Sequence, residues 1–166
     1  MYQVADELAV RALAEAYTDA VNRRDADGMA AIFAPNGVIE KPGFGDPVSG
    51  IAKIKKRYQR LHSERDFLFQ MTHSGVVEFD AEDRARARWW FSEVKKTAGD
   101  GPWLQIMGVY QDEAVRLDEG WRFTRRSQTT LFEQHLSDEA IEIFQPPSIW
   151  PITASSLTRR LGGAEL

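Results

Sequence analysis

The sequence contains no cysteine among its 166 residues. This absence excludes disulfides, thiolate nucleophiles and zinc sites built on cysteine, and it leaves the redox compartment undetermined. Histidine is scarce as well, and the three histidines (His62, His73 and His135) have neither the HxH nor the HExxH spacing of metal-binding motifs. The residues therefore give little support for a metal site.

The chain also lacks a surplus of positive charge and any long apolar run. Its net charge is -4, from 21 basic and 25 acidic residues, whereas phosphate binding usually needs an excess of Lys and Arg. No apolar run approaches the roughly 20 residues that span a bilayer, and the N-terminus lacks the pattern of a secretory signal. We expect a cytoplasmic protein that binds neither nucleic acid nor a membrane.

The apolar pattern changes from helical to strand-like along the chain. It predicts a long amphipathic helix over about 4–23, a second over 26–33 capped by Asp25, and a third that follows Ser49. Four strands joined by hairpin connections are predicted over about 68–79, 84–96, 103–118 and 121–133. Helices followed by long antiparallel strands predict an α+β domain, in which three N-terminal helices cover a cone-like curved antiparallel sheet.

We assign residues 1–135 to this domain and residues 136–166 to a C-terminal extension. The extension contains Gln145-Pro146-Pro147-Ser148-Ile149-Trp150-Pro151, which fits neither a helix nor a regular strand. Exposure of the Ile149 and Trp150 side chains to water would be unfavourable. We therefore expect the extension to pack on the pocket mouth of its own domain or on a neighbouring subunit.

The alternation of side chains along the strands predicts a pocket. A period of two places Trp89 and Phe91 on one strand face, and Trp103, Gln105, Met107 and Val109 on one face of the next strand. These six residues predict an aromatic, sparsely polar pocket for a small hydrophobic molecule, although the same aromatic side chains could simply fill a core. The opposite face of the third strand is apolar too, which predicts a homodimer or homotrimer formed through the outer sheet face.

One histidine is the best acid/base candidate. The same period of two places His73 on an apolar strand face with Gly75, Val77 and Phe79. An imidazole in such a position can exchange protons near neutral pH, but a core histidine with a hydrogen-bond partner explains the pattern as well.

Several local strings resemble a known superfamily over roughly residues 4–135. Tyr17-Thr18-Asp19-Ala20-Val21-Asn22-Arg23-Arg24-Asp25 and Gly108-Val109-Tyr110-Gln111-Asp112-Glu113 resemble the opening helix and the closing hairpin of the SnoaL-like, nuclear-transport-factor-2-like proteins. The run Gln70-Met71-Thr72-His73 before Arg88-Trp89-Trp90 is similar to the branch of scytalone dehydratase, hexachlorocyclohexane dehydrochlorinase and bile-acid 7α-dehydratase. The resemblance implies the cone-shaped fold and cofactor-free lyase chemistry.

The resemblance also implies roles for three residues. His73 would take a proton, Tyr17 would assist the leaving group, and Asn22 would orient His73 where the family carries an aspartate. An amide fixes orientation without supplying charge, so a weaker base is implied. Asp19 or Asp25 could replace that aspartate if the helix end shifts, and Lys41 stands where ketosteroid isomerase carries its aspartate.

The sequence therefore favours a cofactor-independent lyase or isomerase, dehydratase- or cyclase-like, that acts on a small hydrophobic, cyclic molecule through proton transfer by His73. Two alternatives stay open. One is a non-catalytic small-molecule-binding or assembly module of the same fold. The other is a protein similar to the β-subunit of a ring-hydroxylating dioxygenase, which would need an iron-bearing partner.

Overall fold

The computed structural model describes residues 4–137 and residue 141. In this part of the chain the helices are α1 (Val4–Asn22), α2 (Ala26–Ala31) and α3 (Ile51–Ser63). The strands are β1 (Phe33–Glu40), β2 (Val48–Ser49), β3 (Arg65–Ala81), β4 (Arg84–Thr97), β5 (Trp103–Leu117) and β6 (Gly120–Leu136). The three predicted helices and the four predicted strands are thus confirmed, with ends that differ by a few residues. The predicted extension, apart from Leu136, Ser137 and Ile141, lies outside the described residues.

The six described strands form one sheet in the order β2-β1-β6-β5-β4-β3. Every neighbouring pair is antiparallel except β1 and β6. Because β3 to β6 are 14 to 17 residues long and strands twist, the sheet curves strongly. The helices lie against its inner face, so the predicted cone-like α+β fold is confirmed.

The core lies between α1 and the inner face of the sheet. It is built from fully or almost fully buried apolar side chains, among them Val10, Leu13, Phe33, Phe91, Ile106 and Phe123. Each large apolar side chain that is buried in this way stabilises the fold by about 1.5–3 kcal/mol. At the start of α2, the side chain of Asp25 accepts a hydrogen bond from the backbone of Gly28 at 2.8 Å, which confirms the predicted cap.

A β-bulge in β3 changes the direction of His73. Thr72 pairs with Phe91 and Gly75 pairs with Trp89, so His73 and Ser74 together stand opposite one residue of β4. Thr72 and Gly75 therefore point the same way, and the exposed His73 is directed to the other face. The prediction that His73 shares a face with Gly75, Val77 and Phe79 is wrong, because a period of two assumes an uninterrupted ladder.

Gly75 is what allows the bulge to close. A Cβ atom at this position would lie 2.2 Å from Cε3 of Trp89 and 2.3 Å from the carbonyl oxygen of Arg88. Only glycine fits this close approach of the two strands.

The faces of β5 are the reverse of the prediction. Ile106, Tyr110 and Asp112 are buried, whereas Met107 is 45% exposed. Because the β4–β5 ladder is unbroken, Trp103, Gln105 and Val109 lie on the same outer face as Met107, although Trp103 is buried there and packs on Phe67 with 5.3 Å between ring centres. The prediction that these four residues share the inner face is wrong, and their role in ligand binding stays a prediction. Both faces of β5 are apolar, so hydrophobicity alone could not distinguish them. On β4, Trp89 and Phe91 are buried on the inner face, as predicted.

Candidate functional site

The three residues with predicted catalytic roles do not meet in one place. Tyr17 is buried in the interior, where its hydroxyl accepts a hydrogen bond from Tyr58 at 3.1 Å. Nε2 of His73 lies 2.9 Å from the hydroxyl of Ser92, which is on the outer face of β4. His73 and Asn22 line the same open depression of about 480 Å³ between α1 and the edge of β3, but Tyr17 does not.

Asn22 is bonded to the backbone of β3 rather than to His73. Its Nδ2 donates to the carbonyl oxygen of Gln70 at 2.8 Å, and its Oδ1 accepts from the N–H of Gln70 at 2.7 Å. Because β3 is an edge strand, these backbone groups have no neighbouring strand to pair with. The Asn22 amide therefore supplies the donor and the acceptor that a further strand would have supplied.

Asn22→Asp is expected to lower the free energy of unfolding by about 1–3 kcal/mol, the penalty for leaving a partly buried acceptor unbonded. The carboxylate cannot donate to the Gln70 carbonyl, and it brings negative charge against that oxygen. Urea denaturation of the wild type and the variant measures the difference. Asn36→Asp, at an exposed position of β1, is the matched control. Equal stability of both variants and the wild type would contradict this role of Asn22.

A small interior cavity of about 110 Å³ lies among α1, α3 and the inner face of the sheet. The polar side chains of its wall include Tyr17, Tyr58, His62, Gln70, Glu93, Lys95 and Tyr110. Glu93 and Lys95 continue the inner face of β4 beyond Phe91. They were not among the predicted site residues, although the same period of two that turns Phe91 inward extends to both of them.

Gln70 connects the polar groups of this cavity. Its Nε2 donates to Oε2 of Glu93 and to the hydroxyl of Tyr110, both at 2.9 Å. Because an ionised carboxylate can only accept, Glu93 fixes which way the Gln70 amide points. Oε1 of Gln70 is buried and has no hydrogen-bond partner among the described residues. Buried acceptors are normally bonded, so this oxygen marks a position for a ligand donor.

Burial sets the protonation of several groups around the cavity. It raises the pKa of Tyr58 and of Tyr110 well above the ordinary value, and the neighbouring Tyr17 adds to both effects. These two hydroxyls therefore stay protonated and can donate. Burial, followed by the charge of Arg24, lowers the pKa of His62, so this cavity-lining imidazole is neutral at neutral pH. Nζ of Lys95 lies 3.5 Å from Oε1 of Glu93.

A buried ion pair between Arg126 and Asp112 packs against the rings of Tyr17 and Tyr110. Arg126 donates two hydrogen bonds to Asp112, at 2.8 and 2.7 Å, and Trp89 donates a third at 2.9 Å. Burial raises the pKa of Asp112 while Arg126 opposes this; burial lowers the pKa of Arg126, but Asp112 more than offsets it. Three donors around one carboxylate favour the ionised pair. The guanidinium lies 4.1 Å from the ring centre of Tyr17 and 4.4 Å from that of Tyr110, which holds both rings in place.

Within residues 4–137 and 141, no group of three or more His, Cys, Asp or Glu side chains is arranged to hold a metal ion. No helix in this part of the chain is long and apolar enough to cross a membrane.

The sequence is similar to a protein of Mycobacterium tuberculosis (strain ATCC 25618 / H37Rv) that carries the name "Uncharacterized protein". The two are 26% identical over 133 residues, which cover 80% of this chain and 90% of that protein. Among solved structures, a hexachlorocyclohexane dehydrochlorinase of LinA type 3 from Novosphingobium barchaimii LL02 superposes with a TM-score of 0.77 at 17% identity, covering 86% of this chain and 97% of that one.

A ketosteroid isomerase-like protein from Erwinia carotovora atroseptica SCRI1043 superposes with a TM-score of 0.66 at 19% identity, covering 75% of this chain and 95% of that one. At these identities the two solved structures show a shared fold. The family model of the SnoaL-like domain matches residues 3–127, which is most of the chain. The protein therefore belongs to the SnoaL-like family.

Proposed function

We propose that the protein is a cofactor-independent lyase or isomerase whose chemistry takes place in the interior cavity. The observation that carries this proposal is the Glu93 carboxylate, which is held by Gln70 within a small space that three tyrosine hydroxyls also line. A positioned carboxylate can act as a general base, and phenolic hydroxyls can stabilise the oxygen on which negative charge develops.

In the proposed reaction, Glu93 takes a proton from a carbon atom next to a carbonyl group. The C–H electron pair forms a C=C bond to the carbonyl carbon, and the π electrons of the C=O bond move to the oxygen, which gives an enolate. A tyrosine hydroxyl donates a hydrogen bond to the carbonyl oxygen. If a β-substituent then leaves with a proton, the result is an elimination. If the proton returns to a different carbon, the result is an isomerisation. Neither route needs an electron acceptor, which fits chemistry by side chains alone.

Tyr17 keeps its predicted role as a donor in this proposal. Its hydroxyl accepts from Tyr58 and is also hydrogen-bonded to Tyr110. A hydroxyl that accepts from both neighbours can still donate its own hydrogen to a ligand oxygen. Gln70 and Asn22 act as positioning residues: Gln70 orients Glu93, and Asn22 fixes the backbone of Gln70. The role of His73 as a base stays a prediction. If His73 has this role, the reaction takes place in the open depression at the edge of β3 and not in the interior cavity.

Hydrogen–deuterium exchange at carbon tests this proposal without knowledge of the natural substrate. The protein would be incubated in D₂O with a panel of small ketones and β-hydroxy ketones, and NMR would follow deuterium uptake and loss of water. Uptake faster than in buffer is the expected result. Ligand binding without any exchange would contradict the proposal and would favour a non-catalytic binding module.

We propose further that the small-molecule site belongs to a homo-oligomer formed through the outer sheet face. Five large apolar side chains of that face are each 44–47% exposed: Phe69, Met71, Trp90, Met107 and Phe132. Met71, Met107 and Phe132 lie in one row across the sheet. At about 100 Å² for each half-exposed side chain, the patch reaches about 500 Å², in the upper half of the range of about 300–600 Å² for the largest apolar patch of a typical monomer. With its polar rim it approaches the roughly 800 Å² per partner of a stable interface.

Met107→Lys is expected to dissociate the oligomer, because it places a charge at the centre of the apolar patch. Light scattering coupled to size-exclusion chromatography measures the mass, with a dimer or trimer expected for the wild type and a monomer for the variant. Leu117→Lys, at the other end of β5 and also exposed, is the control that should leave the mass unchanged. A monomeric wild type would overturn this proposal.

A further inference from the structure

The wall of the interior cavity carries more positive than negative charge. Its cations are Lys41, Arg57, Arg65 and Lys95, and its carboxylates are Glu40 and Glu93. Glu40 is already paired with Arg125 on the neighbouring strand, at 2.7 Å. Glu133 is the other carboxylate close enough to act on Lys41. The remaining charges give the cavity a positive potential, which attracts anions.

Lys41 is held where a further negative charge would be favourable. Its ammonium group lies 4.1 Å from the ring centre of Phe44, on the loop that follows β1. Burial, followed by the charge of Lys95, lowers the pKa of Lys41. An anion bound between the two lysines would offset both effects, because it would solvate the ammonium groups and screen their repulsion.

Near Gln70 the cavity favours a hydrogen-bond donor, whereas near Lys41 it favours an anion. Oε1 of Gln70 is a buried acceptor without a partner among the described residues, so it calls for an O–H or N–H donor. Nε2 of Gln70 and Nζ of Lys95 both contact the Glu93 carboxylate, at 2.9 and 3.5 Å. The acceptor and the cation are therefore close enough for one short molecule to reach both.

We propose that the cavity selects small organic acids that carry a hydroxyl group, with the carboxylate at Lys41 and Lys95 and the hydroxyl donating to Oε1 of Gln70. This inference rests on the proposed function, since it names two groups, a carboxylate and a hydroxyl, that a substrate of the same cavity carries in addition to its reacting carbonyl group.

Three matched ligands separate the contact of the carboxylate with the lysines from the contact of the hydroxyl with Gln70. The first is 3-hydroxybutyrate, which has both groups. Butyrate lacks the hydroxyl, and 3-hydroxybutyramide lacks the negative charge. Isothermal titration of the full chain measures their affinities. We expect 3-hydroxybutyrate to bind about tenfold more tightly than the amide and several-fold more tightly than butyrate. Lys41→Met should weaken binding of both acids about tenfold and leave the amide unchanged. Lys53→Met, at an exposed position of α3, is the control and should change none of the three.

Equal affinities for 3-hydroxybutyrate and 3-hydroxybutyramide would overturn the inference. It would also be overturned if Lys41→Met weakened the binding of both ligands equally. Failure of all three ligands to bind at millimolar concentration would overturn it too. Its failure is distinguishable from that of the proposed function. If 3-hydroxybutyrate binds as described but no ligand of any class exchanges deuterium or loses water, the reaction is refuted while the ligand class stands.

Discussion

Asp112→Ala is expected to lower the free energy of unfolding by about 3–5 kcal/mol, because it leaves the charge of Arg126 buried without a counter-ion. Arg126 is completely buried, so water cannot replace the lost carboxylate. The side-chain N–H of Trp89 loses its acceptor in the same change. Chemical denaturation, followed by circular dichroism, measures the loss.

The matched control for this change is Asp80→Ala. Asp80 also accepts hydrogen bonds from an arginine, Arg86, at 2.8 Å, but this pair is exposed at the surface. Exposed pairs contribute only about 0–1 kcal/mol, so the control should be almost as stable as the wild type. A second variant that also carries Arg126→Met should recover part of the stability lost in Asp112→Ala, since it removes the buried charge. Equal losses for Asp112→Ala and Asp80→Ala would contradict the role of the buried pair.

Glu93→Gln is expected to reduce the rate of deuterium exchange or turnover by about 10²- to 10⁴-fold, the usual contribution of a general base. Glutamine has almost the same shape, and its side-chain oxygen can still accept the hydrogen bond from Nε2 of Gln70. The variant keeps the hydrogen bond to Gln70 and lacks a group that takes up the proton. It also removes the charge that lies 3.5 Å from Nζ of Lys95, so its unfolding in urea is measured beside that of the wild type. Steady-state rates with the most reactive compound of the panel, together with a measured ligand affinity, separate these effects.

Glu78→Gln is the control for the loss of a carboxylate charge. Glu78 lies on β3, is exposed, and its nearest cation is Arg86 at 3.6 Å. Its replacement should leave the rate within about twofold of the wild type, since surface charges act weakly through solvent. A Glu93→Gln variant that is as active as Glu78→Gln would remove Glu93 from the mechanism.

Most of the fold followed from local patterns. The helix α1 could be predicted because apolar residues recur along it every three to five positions. The hairpins could be predicted because short polar runs with Asp and Gly separate long apolar ones. The cap of α2 could be predicted because Asp25 stands immediately before that helix. These signals lie within a few residues of the structure that they specify.

The bulge of β3 and the inner face of β5 do not follow from local patterns, because both depend on contacts between residues that are distant in the sequence. The bulge at His73 and Ser74 requires the Trp89 ring to approach Gly75, on a different strand. On the inner face of β5, Asp112 is paired with Arg126 across the β5–β6 hairpin, whereas charged residues are usually assigned to the surface. In each case a partner in another strand overrides the local pattern.

The site could be predicted only in part for the same reason. Tyr17 was identified by resemblance and does line the interior cavity. Glu93 and Lys95 could have been identified by extending the inner face of β4, but two charged residues at the end of a strand usually indicate that the strand is leaving the core. The Gln70 amide carries no sequence signal, because its position depends on Asn22 of α1.

The most direct test of the proposed site compares deuterium exchange by the wild type, Glu93→Gln and His73→Ala under one set of conditions. The interior-cavity mechanism predicts that His73→Ala keeps the wild-type rate, because His73 points to Ser92 on the outer face. It also predicts that Glu93→Gln loses at least about 100-fold. The reverse pattern, in which His73→Ala loses activity and Glu93→Gln keeps it, would contradict this mechanism and assign the chemistry to the depression at the edge of β3.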